Sequence, residues 1–183
     1  FGPLGSLQSP AEAEDAAHPN VLLVSVAGLR ADFVGVYGSG ASSTPHLDSL
    51  ALRGGLFASA MTPSSKHTEA SQSMLTGRYP EFSAGSPNVA SSGLADLLSA
   101  YGYRTAAFVS CRCVNRDSMS LAGSFDSYDD LADLSTWLSK TALARAWVSL
   151  GAGTEPIRTP VEAVTAFRDW VSAASGGPWF AWV

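Results

Sequence analysis

The stretch Lys66-His67-Thr68-Glu69-Ala70-Ser71 places two hydroxyls, an imidazole and an ammonium within six residues at the predicted start of a helix. A hydroxyl at such a point is a nucleophile candidate, because a helix N-terminus favours both its alkoxide and an incoming anion. Thr68 holds that place and His67 stands beside it, so these two are the catalytic candidates. Lys66 and Ser71 are the candidate contacts for an anionic substrate. A plainer reading competes at each position. Thr68 serves equally as the N-cap of the helix, with Glu69 and Ser71 in the first turn, and Lys66 and His67 as a solvated loop tip. No residue presents itself as a metal ligand.

A second stretch, Asn20-Val-Leu-Leu-Val-Ser-Val-Ala-Gly-Leu-Arg-Ala-Asp-Phe33, is built to deliver a group and delivers none. Its apolar run reads as a strand over 21–26, buried on both faces of a parallel sheet. The residues at its end are Ala27 and Gly28, which carry no functional side-chain atoms. Arg30 and Asp32 follow and read as a pair that organises the loop. His18 and His46 read as solvent-exposed.

Cys111 and Cys113 are the only cysteines. In an extended strand they would point to one face as small hydrophobes. A bond across Cys-x-Cys would be strained, and two thiols without histidine partners make a poor zinc site.

The elements that must position these groups alternate. Thr44-Pro45-His46-Leu47-Asp48 opens a helix with an apolar stripe of Leu47, Leu50 and Ala51, and Gly54-Gly55 stop it. A short strand is expected over 56–60 and a helix over 68–76. A helix over 92–101 follows, with Leu94, Leu97 and Leu98 inward, and then a strand over 105–110. A helix is expected over 135–150. Thr159-Pro160-Val161-Glu162 is a capping box opening another, with Val161, Val164, Phe167 and Val171 as its stripe. A last strand covers 179–183. This order predicts an α/β fold with a mostly parallel sheet flanked by helices.

Of 183 residues, 46% are hydrophobic and 15% charged, which supports a real core and excludes a disordered chain. The net charge of −5, with 11 unclustered basic residues, excludes a nucleic-acid surface. No apolar run reaches the roughly 18 residues a membrane span needs. Residues 1–19 read as a tag-removal remnant (Gly2 to Ser6) followed by an acidic flexible tether.

Residues 20–183 resemble the N-terminal part of the sulfatase family of the alkaline phosphatase superfamily. The resemblance is carried by "NVLLVSVAGLRADF", "TPHLDSLA", "GLFASA", "SMLTGRYP", "LADLLSAYGYRTAAFVS" and "GSFDSYDD". It implies an alkaline phosphatase/sulfatase-like fold, incomplete at the C-terminus. It also implies hydrolysis of sulfuric or phosphoric esters with a divalent metal (calcium, zinc or manganese) held by aspartates at the end of the first strand. Ala27 occupies the principal aspartate position and Gly28 the adjacent one, so no cofactor is expected in this chain.

The family's nucleophile, in a Cys-x-Pro-x-Arg pattern, lies ten residues before the glycine of Leu-Thr-Gly. Counted from Gly77 that is His67, and a one-residue slip makes it Thr68 with Ser71 three positions on. The family's lysine after "GYRTAAF" falls at Val109-Ser110. The expectation is therefore a catalytically inactive, sulfatase-like pseudoenzyme, or a truncated or mutated form of an enzyme, with a binding or scaffolding role. The alternative is a metal-dependent ester hydrolase or transferase with Thr68 as nucleophile.

Other expectations follow from the resemblance and the chain's end. The ligand would be a small anionic ester, and the location exported, periplasmic or extracellular. A C-terminal segment or partner chain would cover the final strand, whose hydrophobic edge would otherwise lie open.

Overall fold

The computed structural model describes residues 18–38, 44–80, 93–116, 118–130, 158–173 and 176–183. Four strands form one parallel sheet: β1 (Val21–Leu23), β2 (Arg104–Phe108), β3 (Ser127–Asp129) and β4 (Trp179–Trp182), in the order β1-β4-β2-β3. Among the described residues four α-helices accompany them: α1 (Pro45–Arg53), α2 (His67–Thr76), α3 (Leu94–Ala100) and α4 (Pro160–Ser172). The expected α/β class with a parallel sheet is the class observed.

β2 and β4 make the centre. Ala106 pairs with both Ser127 and Ala181, and Val21 to Leu23 pair with Phe180 to Trp182. Alternation along β2 sends Phe108 to one face, where Phe167 and Trp170 of α4 meet it edge-on at 6.0 and 5.9 Å. Ala107 points to the other face, into a core with Leu75 of α2, Ala95 of α3, Phe125, Phe180 and Trp182. Helices thus cover both faces of the sheet's centre, in keeping with the apolar residues that fill β4 and the second half of β2.

α4 starts as predicted. The Glu162 N–H donates to Thr159 Oγ1 at 3.3 Å, and the Thr159 N–H donates to Glu162 Oε2 at 2.7 Å. The bond from the Thr159 N–H, with a second from the Thr159 hydroxyl at 2.9 Å, holds the Glu162 carboxyl below the usual carboxylate range. Thr159→Ala should cost about 1 kcal/mol of stability. A urea midpoint unchanged by that substitution would show that tertiary packing alone defines the helix start.

Several expectations meet corrections. The strand expected over 21–26 ends at Leu23 and is not buried on both faces: Leu22 is 45% exposed, Val24 and Val26 beyond it are 58 and 57% exposed, and β1 is an edge of the described sheet. β4 is interior instead. Its crossover places it between β1 and β2, so the edges of the described sheet lie at β1 and β3 rather than at the final strand. Residues 56–60 form no strand, and Leu56 and Phe57 stand exposed. Leu47, Leu50, Leu97, Val161 and Val164 are exposed where their helical spacing predicts burial. Helical spacing marks an apolar face but not what lies against it. The helix expected over 135–150 lies outside the described residues. β3 has only three residues, Ser-Tyr-Asp, too short and polar to signal itself.

Candidate functional site

In open α/β sheets, ligands bind beyond the carboxyl ends of the strands, where loops diverge. A cleft of about 1120 Å³ opens there. Its walls come from the end of β1 (Ser25 to Gly28), the segment after β2 (Val109 to Cys111) and the first turn of α2 with the loop before it. Trp182 and Val183 form part of the lining.

The β1 end is shaped by two bonds. Ser25 N–H donates to the Val183 carbonyl at 2.9 Å, extending the ladder, and Trp182 Nε1 donates to Ser25 Oγ at 2.9 Å. The chain then turns at Gly28 with φ +75°, a left-handed conformation that favours glycine. Position 28 therefore has a backbone reason for its residue. Ala27 lines the cleft and presents only a methyl, which cannot ligate a hard cation. Arg30 and Asp32 form a bidentate pair at 2.9 and 2.6 Å. Each raises or lowers the other in the direction that keeps both charged, and the pair is solvent-exposed and outside the cleft lining. The residues at this strand end do not fit a divalent metal. Among the described residues no group of three His, Cys, Asp or Glu side chains converges anywhere.

The α2 end gathers the predicted site residues and sorts them. Helix α2 begins at His67 with Lys66 as its N-cap, and no side chain caps it, so Thr68 is the second helical residue rather than the cap. His67, Lys66 and Ser71 line the cleft. Thr68 does not. Its hydroxyl is half-buried and donates to the Cys113 carbonyl at 2.5 Å. Lys66 Nζ donates to Glu69 Oε1 at 2.8 Å, and Ser64 Oγ donates to Glu69 Oε2 at 2.7 Å. The bond to Glu69 pushes Lys66 up, and the bonds from Lys66 and then Ser64 hold Glu69 below the usual carboxylate range. The lysine charge is thus shared with a neighbour at the cleft rim.

The cleft also contains residues the sequence reading did not place in it: Arg78, Tyr79 and the two cysteines. Arg78 was visible in the string Leu75-Thr76-Gly77-Arg78, but helical spacing alone does not carry it past Gly77 back to the cleft. Cys111 and Cys113 are joined by a disulfide with Cα atoms 5.2 Å apart, which corrects their reading as two separate small hydrophobes. An extended strand would set them about 6.6 Å apart. β2 stops at Phe108, and a 3₁₀ turn over Arg112–Val114 takes the two cysteines out of the extended geometry and draws them closer together.

Comparison with known proteins agrees with this geometry. The family described as Sulfatase matches residues 19–183. The C-terminal periplasmic domain of EcEptC from Escherichia coli, in complex with Zn, superposes with a TM-score of 0.57 at 15% identity, covering 92% of this chain and 44% of that one. Phosphonate monoester hydrolase of Agrobacterium radiobacter gives 0.58 at 22% identity, covering 90% and 40%. The chain therefore spans less than half the length of either structure, and what it shares with them is the fold of the alkaline phosphatase superfamily.

Proposed function

We propose that this chain, which belongs to the sulfatase family, is a non-catalytic member whose cleft binds a small anionic ester and whose domain serves as a binding or scaffolding module. The observation that carries this reading is Ala27, a methyl at the cleft edge where ester hydrolysis of this type needs a metal-holding carboxylate. A second support is the Thr68 hydroxyl, which is spent on the Cys113 carbonyl and lies outside the cleft lining. What the cleft retains suits recognition: His67, Ser71, Arg78 and Lys66 at the amino end of α2 or along its lining.

Completion of the module belongs to the same proposal. The open edge at β1, with Leu22, Val24 and Val26 exposed beside it, is the surface that a further C-terminal segment or a partner chain would cover. Export to a periplasmic or extracellular space is likewise part of the reading. Among the described residues, no helix is long and apolar enough to cross a membrane.

The test titrates zinc, calcium and manganese into the native chain and into Ala27→Asp, following the thermal midpoint and turnover of nitrophenyl sulfate and nitrophenyl phosphate. The expected result is no metal-dependent shift and no turnover by the native chain, together with a rise in midpoint on adding inorganic sulfate. Metal-dependent stabilisation accompanied by turnover in the native chain would replace this reading with the hydrolase or transferase one.

A further inference from the structure

The Cys111–Cys113 bond closes a loop with one intervening residue. A cross-link stabilises mainly by restricting the unfolded chain, and that effect grows with loop length, so a bond this local contributes little to holding the fold. Its position is more informative than its size. Both cysteines are half-buried and line the cleft, so a solute entering the cleft meets them. Lys66 and Arg78 line the same space and favour an anionic visitor.

The two sulfurs are not equivalent. The Cys113 N–H donates to Cys111 Sγ at 3.2 Å. A donor aimed at sulfur favours the thiolate over the thiol, which makes Cys111 the better leaving group. The backbone beyond it is anchored independently of the bond. The Cys113 carbonyl accepts from Thr68, and the Val114 carbonyl accepts from the buried Tyr128 hydroxyl, so 113–114 stay tied to α2 and β3 when the sulfurs part.

We propose that Cys111 and Cys113 form a thiol–disulfide exchange centre in the cleft wall, with an anionic low-molecular-weight thiol as co-reactant. The incoming thiolate attacks Cys113 Sγ, the S–S bond breaks, and its electron pair goes to Cys111 Sγ as a thiolate beside the Cys113 N–H. A second thiolate attacks the external sulfur of the mixed disulfide and releases Cys113. The two protons given up by the incoming thiols are available to the two cysteines. In all, the protein disulfide gains two electrons and the two small thiols become one small disulfide.

Glutathione is the probe. The oxidised full chain is equilibrated in mixtures of reduced and oxidised glutathione without denaturant, quenched with acid, alkylated and mapped by peptide mass. Both cysteines are expected to become alkylated while circular dichroism is unchanged, with early quenches trapping glutathione on Cys113. In single variants, Cys111 of Cys113→Ser should react with iodoacetamide at lower pH than Cys113 of Cys111→Ser. A bond that resists glutathione until urea unfolds the chain overturns the proposal. So does glutathione trapped on Cys111, or coincident pH profiles in the two variants.

Discussion

Trp182→Ala is expected to lower stability by about 3–5 kcal/mol, the cost of truncating a buried aromatic side chain. Trp182 is 1% exposed and sits on the central strand, in register with Leu23 on one side and Ala107 on the other. Its ring stacks on Phe125 at 6.3 Å and meets Tyr128 edge-on at 6.5 Å. Ala107, its partner in register on β2, is too small to fill the void. Domains of ordinary size hold only about 5–15 kcal/mol in total, so the loss should move the thermal midpoint by roughly 10 °C or abolish the transition. Trp182→Phe separates volume from polarity. It keeps most of the ring and forfeits the 2.9 Å bond to Ser25, and should cost about 1 kcal/mol. Equal losses for the two variants in urea unfolding would mean that the indole bond, not packing, dominates.

The parts of the fold legible in the sequence are those in which local signals and burial agree. The capping box at Thr159, the glycine stop at Gly77 and the apolar runs of β2 and β4 each name an element and find it in place. The errors share one cause. Val24, Val26, Leu47 and Leu50 are as apolar as residues in the core, yet a residue's hydrophobicity does not say which segment lies against it. Among the described residues nothing covers the β1 edge or Leu47 and Leu50 of α1, so apolar spacing there does not translate into burial. Leu56 and Phe57 show the same effect in a stretch that reads as a strand and forms none.

The cleft was legible in outline and not in detail. The strand ending in Ala27-Gly28 and the α2 start were visible as converging elements, because both carry local turn or helix signals. Which hydroxyl faces the cleft was not. The Thr68 orientation depends on a bond to a carbonyl 45 residues away, and the disulfide depends on a 3₁₀ turn where an extended strand was expected. Both belong to tertiary structure. The difference between a hydroxyl aimed into the cleft and one tied behind it is also the difference between the two functions the family resemblance leaves open.

Arg158 carries the second large effect. It is 6% exposed, and its guanidinium donates to the Asp129 carbonyl at 3.0 Å and to Asp129 Oδ2 at 2.9 Å, with a third bond to the Glu162 carbonyl at 3.3 Å. The contacts tie the start of α4 to the end of β3, an edge of the described sheet. Arg158→Met keeps the length of the side chain and removes every donor. The Asp129 carboxylate then loses this cation, although the acid's partial exposure lets water compensate in part. Removing one member of a fully buried pair costs about 3–5 kcal/mol; here about 2 kcal/mol is expected after solvent screening. Asp129→Asn should cost more than Arg158→Met if the buried cation is the member harder to leave alone, since the arginine is the more enclosed of the two. Adding Asp129→Asn to Arg158→Met should then cost less than Asp129→Asn alone, and a double variant whose loss equals the sum of the singles would show that the two side chains act independently.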